Sequence, residues 1–142
     1  MKTLLNLATL KKGGGQNVGL NMVECLISEN YDLSKFSFVV AEGSSIEAIL
    51  KKNGVKEVIS TPNNPLKRIV FELIKGRQII KKYQIDVVYT LFGIGLYPKR
   101  YMQISGSADS NIFFPEINFW EEYTGLERFK RVIVDKYRIY AL

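Results

Sequence analysis

The chain has 142 residues, of which 46% are hydrophobic and 24% charged, a composition typical of one globular domain with a buried core. Twenty Lys and Arg against fourteen Asp and Glu give a net charge of +6, which favours phosphate-bearing ligands or acidic lipid surfaces as partners. The chain contains no histidine, which excludes Ser-His and Cys-His nucleophile pairs, imidazole bases and most zinc sites. No basic block is interleaved with aromatic residues, so nucleic acid is not expected among the partners.

The amino terminus, MKTLLNLATLKKGGG, superficially resembles a signal peptide. Its apolar run is too short and ends in lysines and glycines without a small-residue cleavage site, so we interpret it as a first strand. No stretch of the sequence reaches the roughly 18 apolar residues of a membrane-spanning helix. The expected location is therefore the cytoplasm.

Short apolar runs alternate with segments of helical periodicity. Strands are predicted at Thr3–Thr9, Phe36–Ala41, Val55–Ser60, Ile85–Leu91 and Tyr101–Ser105. This alternation predicts a single α/β domain over residues 1–142, with a Rossmann-like parallel sheet of about five or more strands and helices on both faces.

Four helices are predicted between and after these strands. They span Gln16–Glu29, Ser44–Asn53, Leu66–Tyr83 and Phe119–Ala141. In the second helix, Ser44 or Ser45 is expected to form the N-cap, with Glu47 in the first turn and Gly54 just after the end.

Ligands of such sheets bind at the carboxyl ends of the strands. Three loops that follow predicted strands are therefore candidate binding segments: Leu10–Gly15, Leu91–Lys99 and Gly106–Asn118. The first contains three consecutive glycines directly before a predicted helix. Its backbone N–H groups and the positive end of the helix dipole suit a phosphate or a developing negative charge. The alternative is that the glycines only permit a tight strand-to-helix turn.

The glycine loop departs from two known phosphate-binding motifs. A P-loop needs a lysine and a hydroxyl after its last glycine, and neither follows Gly19. The dinucleotide motif G-x-G-x-x-G is matched by Gly13 and Gly15, but Gly19 comes one residue too late. Because Glu42 follows the second predicted strand, where a ribose-binding acid would lie, a Rossmann NAD(P)-binding domain stays open as an alternative.

The segment GGGQNVGLNMVECL after a first strand resembles the start of family 4 glycosyltransferases of the GT-B fold. IDVVYTLFG, SGSADSNIFFPEINFW and the trailing DKYRIYAL resemble the same amino-terminal domain, especially in bacterial surface-polysaccharide enzymes. The resemblance implies a two-domain enzyme that transfers a sugar from a nucleotide sugar to a saccharide or lipid-linked acceptor, with no cofactor and no metal. The carboxy-terminal donor domain would lie outside these 142 residues, and the chain alone would be inactive. A non-catalytic α/β module that binds an anionic ligand or partner is the alternative.

The resemblance also implies which residues meet the donor. Gly13, Gly14, Gly15 and Gln16 would face the phosphates of the nucleotide sugar across the cleft between the two domains. Many relatives place a histidine near the reacting sugar, a residue type that this chain lacks.

Polar residues after the fifth predicted strand are candidates for the acceptor site. Ser107, Asp109 and Asn111 offer hydrogen-bonding groups that suit sugar hydroxyls, and Asp109 would be a general base if burial raised its pKa. Glu116 is a further candidate acceptor contact. The alternatives are a polar turn around Asp109 and a solvated loop acid at Glu116.

The predicted helix Leu66–Tyr83 has a basic outer face. It carries Lys67, Arg68, Lys75, Arg77, Lys81 and Lys82, with Glu72 as its one acidic residue. Such a face attracts anionic headgroups at about 1 kcal/mol per basic residue, which suggests peripheral contact with the inner face of the cell membrane. A merely solvated basic face is the alternative.

Two further residues carry expectations about burial and contact. The single cysteine, Cys25, lies among apolar residues and is expected to be a buried structural thiol. Trp120 is expected to anchor the last helix to the sheet, with sugar stacking as the alternative.

Overall fold

A computed structural model describes residues 1–93, 101–106, 114, 117 and 120–141. Its strands are β1 (Thr3–Leu7), β2 (Phe36–Ala41), β3 (Val58–Thr61), β4 (Val87–Thr90) and β5 (Met102–Ser105). Its α-helices are α1 (Gly13–Ser28), α2 (Ser45–Lys52), α3 (Pro65–Lys82) and α4 (Gly125–Ala141), and a short 3-10 helix, Leu33–Lys35, precedes β2. The strands pair in parallel in the order β3-β2-β1-β4-β5, which confirms the predicted Rossmann-like α/β fold.

The sheet is covered on both faces, as the continuous apolar strands predict. On one face, Leu4 of β1 packs with Ile79 and Ile80 of α3. On the other face, Leu5 of β1 belongs to the cluster that contains Val23 of α1 and residues of α2. Neighbouring residues of β1 thus enter opposite halves of the core, because successive side chains of a strand point to opposite faces.

The strand order places a topological switch point between β1 and β4. From β1 the chain moves outward to β2 and β3, and α3 then carries it back to β4 on the other side of β1. The carboxyl ends of β1, β4 and β5 are neighbours at one edge of the sheet. The three candidate loops follow these strands, so their starting points share the edge where open α/β sheets bind ligands.

The ends of several elements differ from the predicted ones. Helices α2 and α3 lie within one residue of their predicted bounds, whereas β1 ends at Leu7 because the backbone N–H of Leu10 donates to the Leu7 carbonyl at 3.1 Å and closes a turn. The last helix begins at Gly125 rather than at Phe119. Gly125 has φ of +57°, a left-handed conformation that separates α4 from the turn before it.

The expectation of a buried thiol at Cys25 is wrong, because this residue is exposed. Val23 and Gly19 mark the buried side of α1. A residue two positions after Val23 lies about 200° further round a helix, which places Cys25 on the solvent side. The apolar residues next to Cys25 in sequence therefore do not imply that Cys25 lies on the buried face of α1.

The ring of Trp120 contacts Tyr123, with ring centroids 5.8 Å apart. The guanidinium of Arg131 in α4 lies 4.8 Å from the centroid of the Trp120 ring and 3.9 Å from that of Tyr123. Trp120 therefore contacts the last helix through Arg131, and the predicted anchoring of that helix to the sheet stays a prediction. Among the described helices, none is long and apolar enough to cross a membrane.

Candidate functional site

We call residues 8–15, which follow β1, and residues 91–93, which follow β4, the switch-point edge. Hydrogen bonds fix these two segments to each other. The buried amide Nδ2 of Asn6 lies 3.4 Å from Thr90 Oγ1, and Asn6 Oδ1 accepts from the backbone N–H of Ala8 at 3.3 Å. The hydroxyl of Thr9 donates to the Phe92 carbonyl at 2.5 Å. The turn after β1 is therefore held in place by the end of β4.

The three glycines form the first turn of α1, and the prediction that this helix begins at Gln16 is wrong. Glycine has a low helix propensity, which hid the true start in the sequence. Lys12 is the N-cap residue, with φ of −151° and ψ of 159°, and it makes no side-chain capping hydrogen bond. The first turn also contains no acidic residue. Since the first N–H groups of a helix have no partner within it, and Lys12 supplies none from its side chain, these groups of α1 could donate to an anion.

The fold requires glycine at only some of these positions. Gly13 has φ of +67°, which side-chain-bearing residues rarely adopt. A Cβ atom on Gly15 would lie 3.4 Å from Leu10 Cδ2 and 3.8 Å from Phe92 Cδ2, which are ordinary van der Waals contacts. A Cβ atom on Gly14 would meet no atom within 4 Å, and the φ of Gly14 is not positive. Neither space nor backbone conformation explains glycine at position 14.

Gln16 has a partner within the chain. Its side-chain amide donates to the hydroxyl of Ser45 at 2.8 Å, which joins the first turn of α1 to the first turn of α2. The predicted contact between Gln16 and a phosphate is not tested by this arrangement and stays a prediction.

Basic side chains flank the switch-point edge on the α3 side. The ammonium of Lys11 donates to the Asn63 carbonyl, and burial together with the charge of Arg68 lowers the pKa of Lys11. Arg68 Nε lies 3.4 Å from Glu72 Oε1, but this buried nitrogen makes no hydrogen bond within the described part of the chain. Burial raises the pKa of Glu72, and Arg68 opposes that effect. The cations of Lys11 and Arg68 thus lie close enough to interact, and Arg68 is paired with the partly buried carboxylate of Glu72.

The chain leaves β5 next to the end of β4. Gly106 donates its N–H to the Thr90 carbonyl at 2.9 Å and accepts from the N–H of Gly93 at 3.3 Å. A Cβ atom on Gly106 would lie 2.5 Å from the Leu91 carbonyl oxygen, so only glycine fits this close approach of two backbones. Gly106, the last described residue after β5, therefore lies beside residues 91–93 of the switch-point edge.

The predicted acceptor residues lie outside the described residues, and their roles stay predictions: Ser107, Asp109, Asn111 and Glu116. Within the described residues, no cluster of acidic and cysteine side chains could hold a metal ion.

Comparison with protein-family models, with curated proteins and with solved structures found no match.

Sequence reasoning missed two features of this region. Gly106 was included only as the start of a polar loop, and the contact of Lys11 with the loop before α3 was not expected. A glycine at the end of a predicted strand, as at position 106, is a weak signal for close approach of another backbone. The Lys11 contact links residues 52 positions apart, and no local pattern indicates it.

Proposed function

We propose that this chain is the amino-terminal, acceptor-side domain of a glycosyltransferase that moves a sugar from a nucleotide sugar to an acceptor in surface polysaccharide or glycolipid synthesis. The observation that carries the proposal is Gly14, a glycine that the fold does not require, in an uncapped helix start at the switch point. Close approach of a ligand to the backbone would explain it. The sequence resemblance supplies the reaction class, and the neighbouring cations Lys11 and Arg68 support a phosphate-bearing donor.

In such a reaction, negative charge grows on the donor's phosphates as the sugar leaves. Backbone N–H groups at Gly13–Gly15 would then interact more strongly with the transition state than with the bound donor, which is the condition for raising turnover. Asp109 would serve as the base toward the acceptor. The nucleotide pocket would belong to a second domain, so we expect the 142-residue chain to fold without transferring sugar. Transfer by this chain alone at the rate of a two-domain enzyme would contradict the proposal.

Replacing Gly14 by valine in the two-domain enzyme tests the proposal. We expect turnover to fall about 100-fold, the usual effect of losing one preorganised N–H donor, because the branched side chain would block the approach of the phosphates. The melting temperature should change little, since a side chain at position 14 meets open space. Turnover and thermal unfolding are measured on the same preparation.

Ala48→Val is the control, because Ala48 is an exposed residue of α2 and the change also leaves a valine on an exposed helix position. It should leave turnover unchanged. Near-normal turnover in a folded Gly14→Val enzyme would refute phosphate contact at the glycines.

A dinucleotide-binding domain is the second candidate, and Gly19 favours it. A Cβ atom on Gly19 would lie 2.7 Å from Leu10 Cδ1 and 2.8 Å from Ile46 Cδ1. Close helix packing is the role of the third glycine in the dinucleotide motif, and Glu42 is exposed just after β2. Calorimetric titration with NAD and NADP, beside uridine and guanosine diphosphates, separates the candidates. Tighter binding of the dinucleotides would favour the second.

A further inference from the structure

The outer face of α3 exposes a group of large apolar side chains. Val70, Leu73 and Ile74 are exposed by 53%, 53% and 59%. Their spacing of three and four residues places them side by side on one helix face. They form a continuous apolar patch rather than isolated surface residues.

Exposed basic residues bracket this patch along the helix. Lys67 lies about one turn before it, and Arg77 and Lys81 lie about one and two turns after its centre. Lys75 and Lys82 are also exposed on the flank of the same helix. The outer surface of α3 therefore combines an apolar centre with cations.

No acidic residue of α3 itself lies on that surface. The one acidic residue of α3, Glu72, is half-buried on the inner side, where it pairs with Arg68. The inner side also carries Ile79 and Ile80, which are buried against the sheet. The core of the domain thus accounts for the inner side of α3 and leaves the outer side without a partner among the described residues.

We infer that the outer face of α3 docks on an anionic lipid surface, with the helix lying in the membrane plane. Val70, Leu73 and Ile74 would enter the boundary between headgroups and acyl chains, and the cations around them would meet the lipid phosphates. An apolar face bracketed by Lys and Arg is the pattern of interfacial helices. The charge of the surface is complementary to anionic headgroups and selects them over neutral ones. Vesicle binding requires no sugar transfer, so this inference and the proposed function can fail separately.

Sedimentation with lipid vesicles tests the inference on the 142-residue chain. Vesicles of phosphatidylcholine and phosphatidylglycerol in equal parts should bind the chain, and vesicles of phosphatidylcholine alone should bind it at least tenfold more weakly. Raising the salt from about 0.1 M to about 1 M shortens the screening length from about 10 Å to about 3 Å and should release most of the chain. Equal binding to both vesicles, or binding to neither, overturns the inference.

Two double variants that remove the same charge test whether the membrane-binding surface lies on α3. Arg77→Gln with Lys81→Gln should weaken binding roughly 30-fold, as two cations at about 1 kcal/mol each near an anionic surface predict. Lys52→Gln with Lys56→Gln removes the same charge from exposed positions away from α3 and should have a much smaller effect. Equal weakening by both pairs would mean that only net charge matters, and this would overturn docking through α3.

A second pair tests the apolar patch. Val70→Ser with Ile74→Ser should weaken binding about tenfold, because less apolar surface would enter the interface. Val18→Ser with Tyr31→Ser is the control, since these residues are 45% and 56% exposed elsewhere on the domain. Light scattering of each protein reports its mass. If the wild-type chain self-associates, and Val70→Ser with Ile74→Ser abolishes this without weakening vesicle binding, the patch is a contact between copies and the inference fails.

Discussion

Helices α1 and α2 begin at the same edge of the sheet, but only α2 has its amino terminus capped by side chains. At α2, Ser44 Oγ accepts from the N–H of Glu47 at 3.2 Å. The Glu47 carboxylate accepts from the N–H of Gly43 at 2.6 Å and also from Lys51 and Ser60. At α1, the N-cap residue provides no such bond and no acid lies in the first turn.

The start of α2 is thus capped by side chains of the chain itself, whereas no side-chain cap is found at α1 among the described residues. The negative carboxylate of Glu47 already occupies the positive end of the α2 dipole. At α1 that position is open to solvent, and glycines leave the backbone accessible. The comparison therefore indicates where an external anion would bind, and the following changes test it in order of decreasing effect.

Acidification should give the largest loss of stability, through Glu47 at the start of α2. Hydrogen bonds from Lys51 and Ser60 hold the pKa of Glu47 at about 2, against an ordinary value of 4.5. A lowered folded-state pKa stabilises the fold fully above pH 4.5, and this contribution is lost as the pH falls through about 2. The shift corresponds to about 3 kcal/mol.

Urea unfolding of wild type and Glu47→Gln across this pH range measures that contribution. We expect the variant to lack the Glu47 component of the acid-dependent loss and to be less stable at neutral pH. Glu24→Gln, at an exposed position of α1, is the control and should behave as wild type. The same acid response in wild type and Glu47→Gln would remove Glu47 from the explanation.

Alanine at two glycines of α1 should have opposite consequences for stability. Gly19→Ala should cost about 2 kcal/mol, because its Cβ would lie under 3 Å from Leu10 and Ile46. Gly14→Ala should be neutral or stabilising by up to about 1 kcal/mol, since alanine favours the helix and meets no neighbour. Chemical denaturation of both variants checks the contrast. A large loss in Gly14→Ala would mean that the fold does require this glycine.

Removing the N-cap side chain of α2 or adding one to α1 should give the smallest change in stability. Ser44→Ala should cost about 1 kcal/mol, and Lys12→Ser should add a similar amount, because Lys12 already has the extended backbone of an N-cap residue. If the open start of α1 receives anions, Lys12→Ser should also weaken inorganic pyrophosphate binding in a calorimetric titration. Stabilisation with unchanged pyrophosphate binding would argue against an anion at this helix start.

Local signals made much of the fold predictable. Strand β2 and the cap at Ser44 agree with the sequence interpretation because a buried strand and an N-cap depend on adjacent residues. The start of α1 was not predictable, since a run of glycines opposes helix formation and only the surrounding fold places it there. Of the candidate site, Gly13–Gly15 could be found from sequence. The Lys11 contact could not, because it depends on how distant segments meet.

The tight packing around Gly19 also bears on the rate and affinity with which the start of α1 would bind a ligand. With Leu10 and Ile46 pressed against its backbone at this point, α1 cannot move closer to the sheet or tilt toward it without displacing buried side chains. This packing therefore holds α1 in one position on the sheet. If the N–H groups of its first turn bind an anion, little free energy would be spent on moving the helix, and association would not have to wait for a shift of α1.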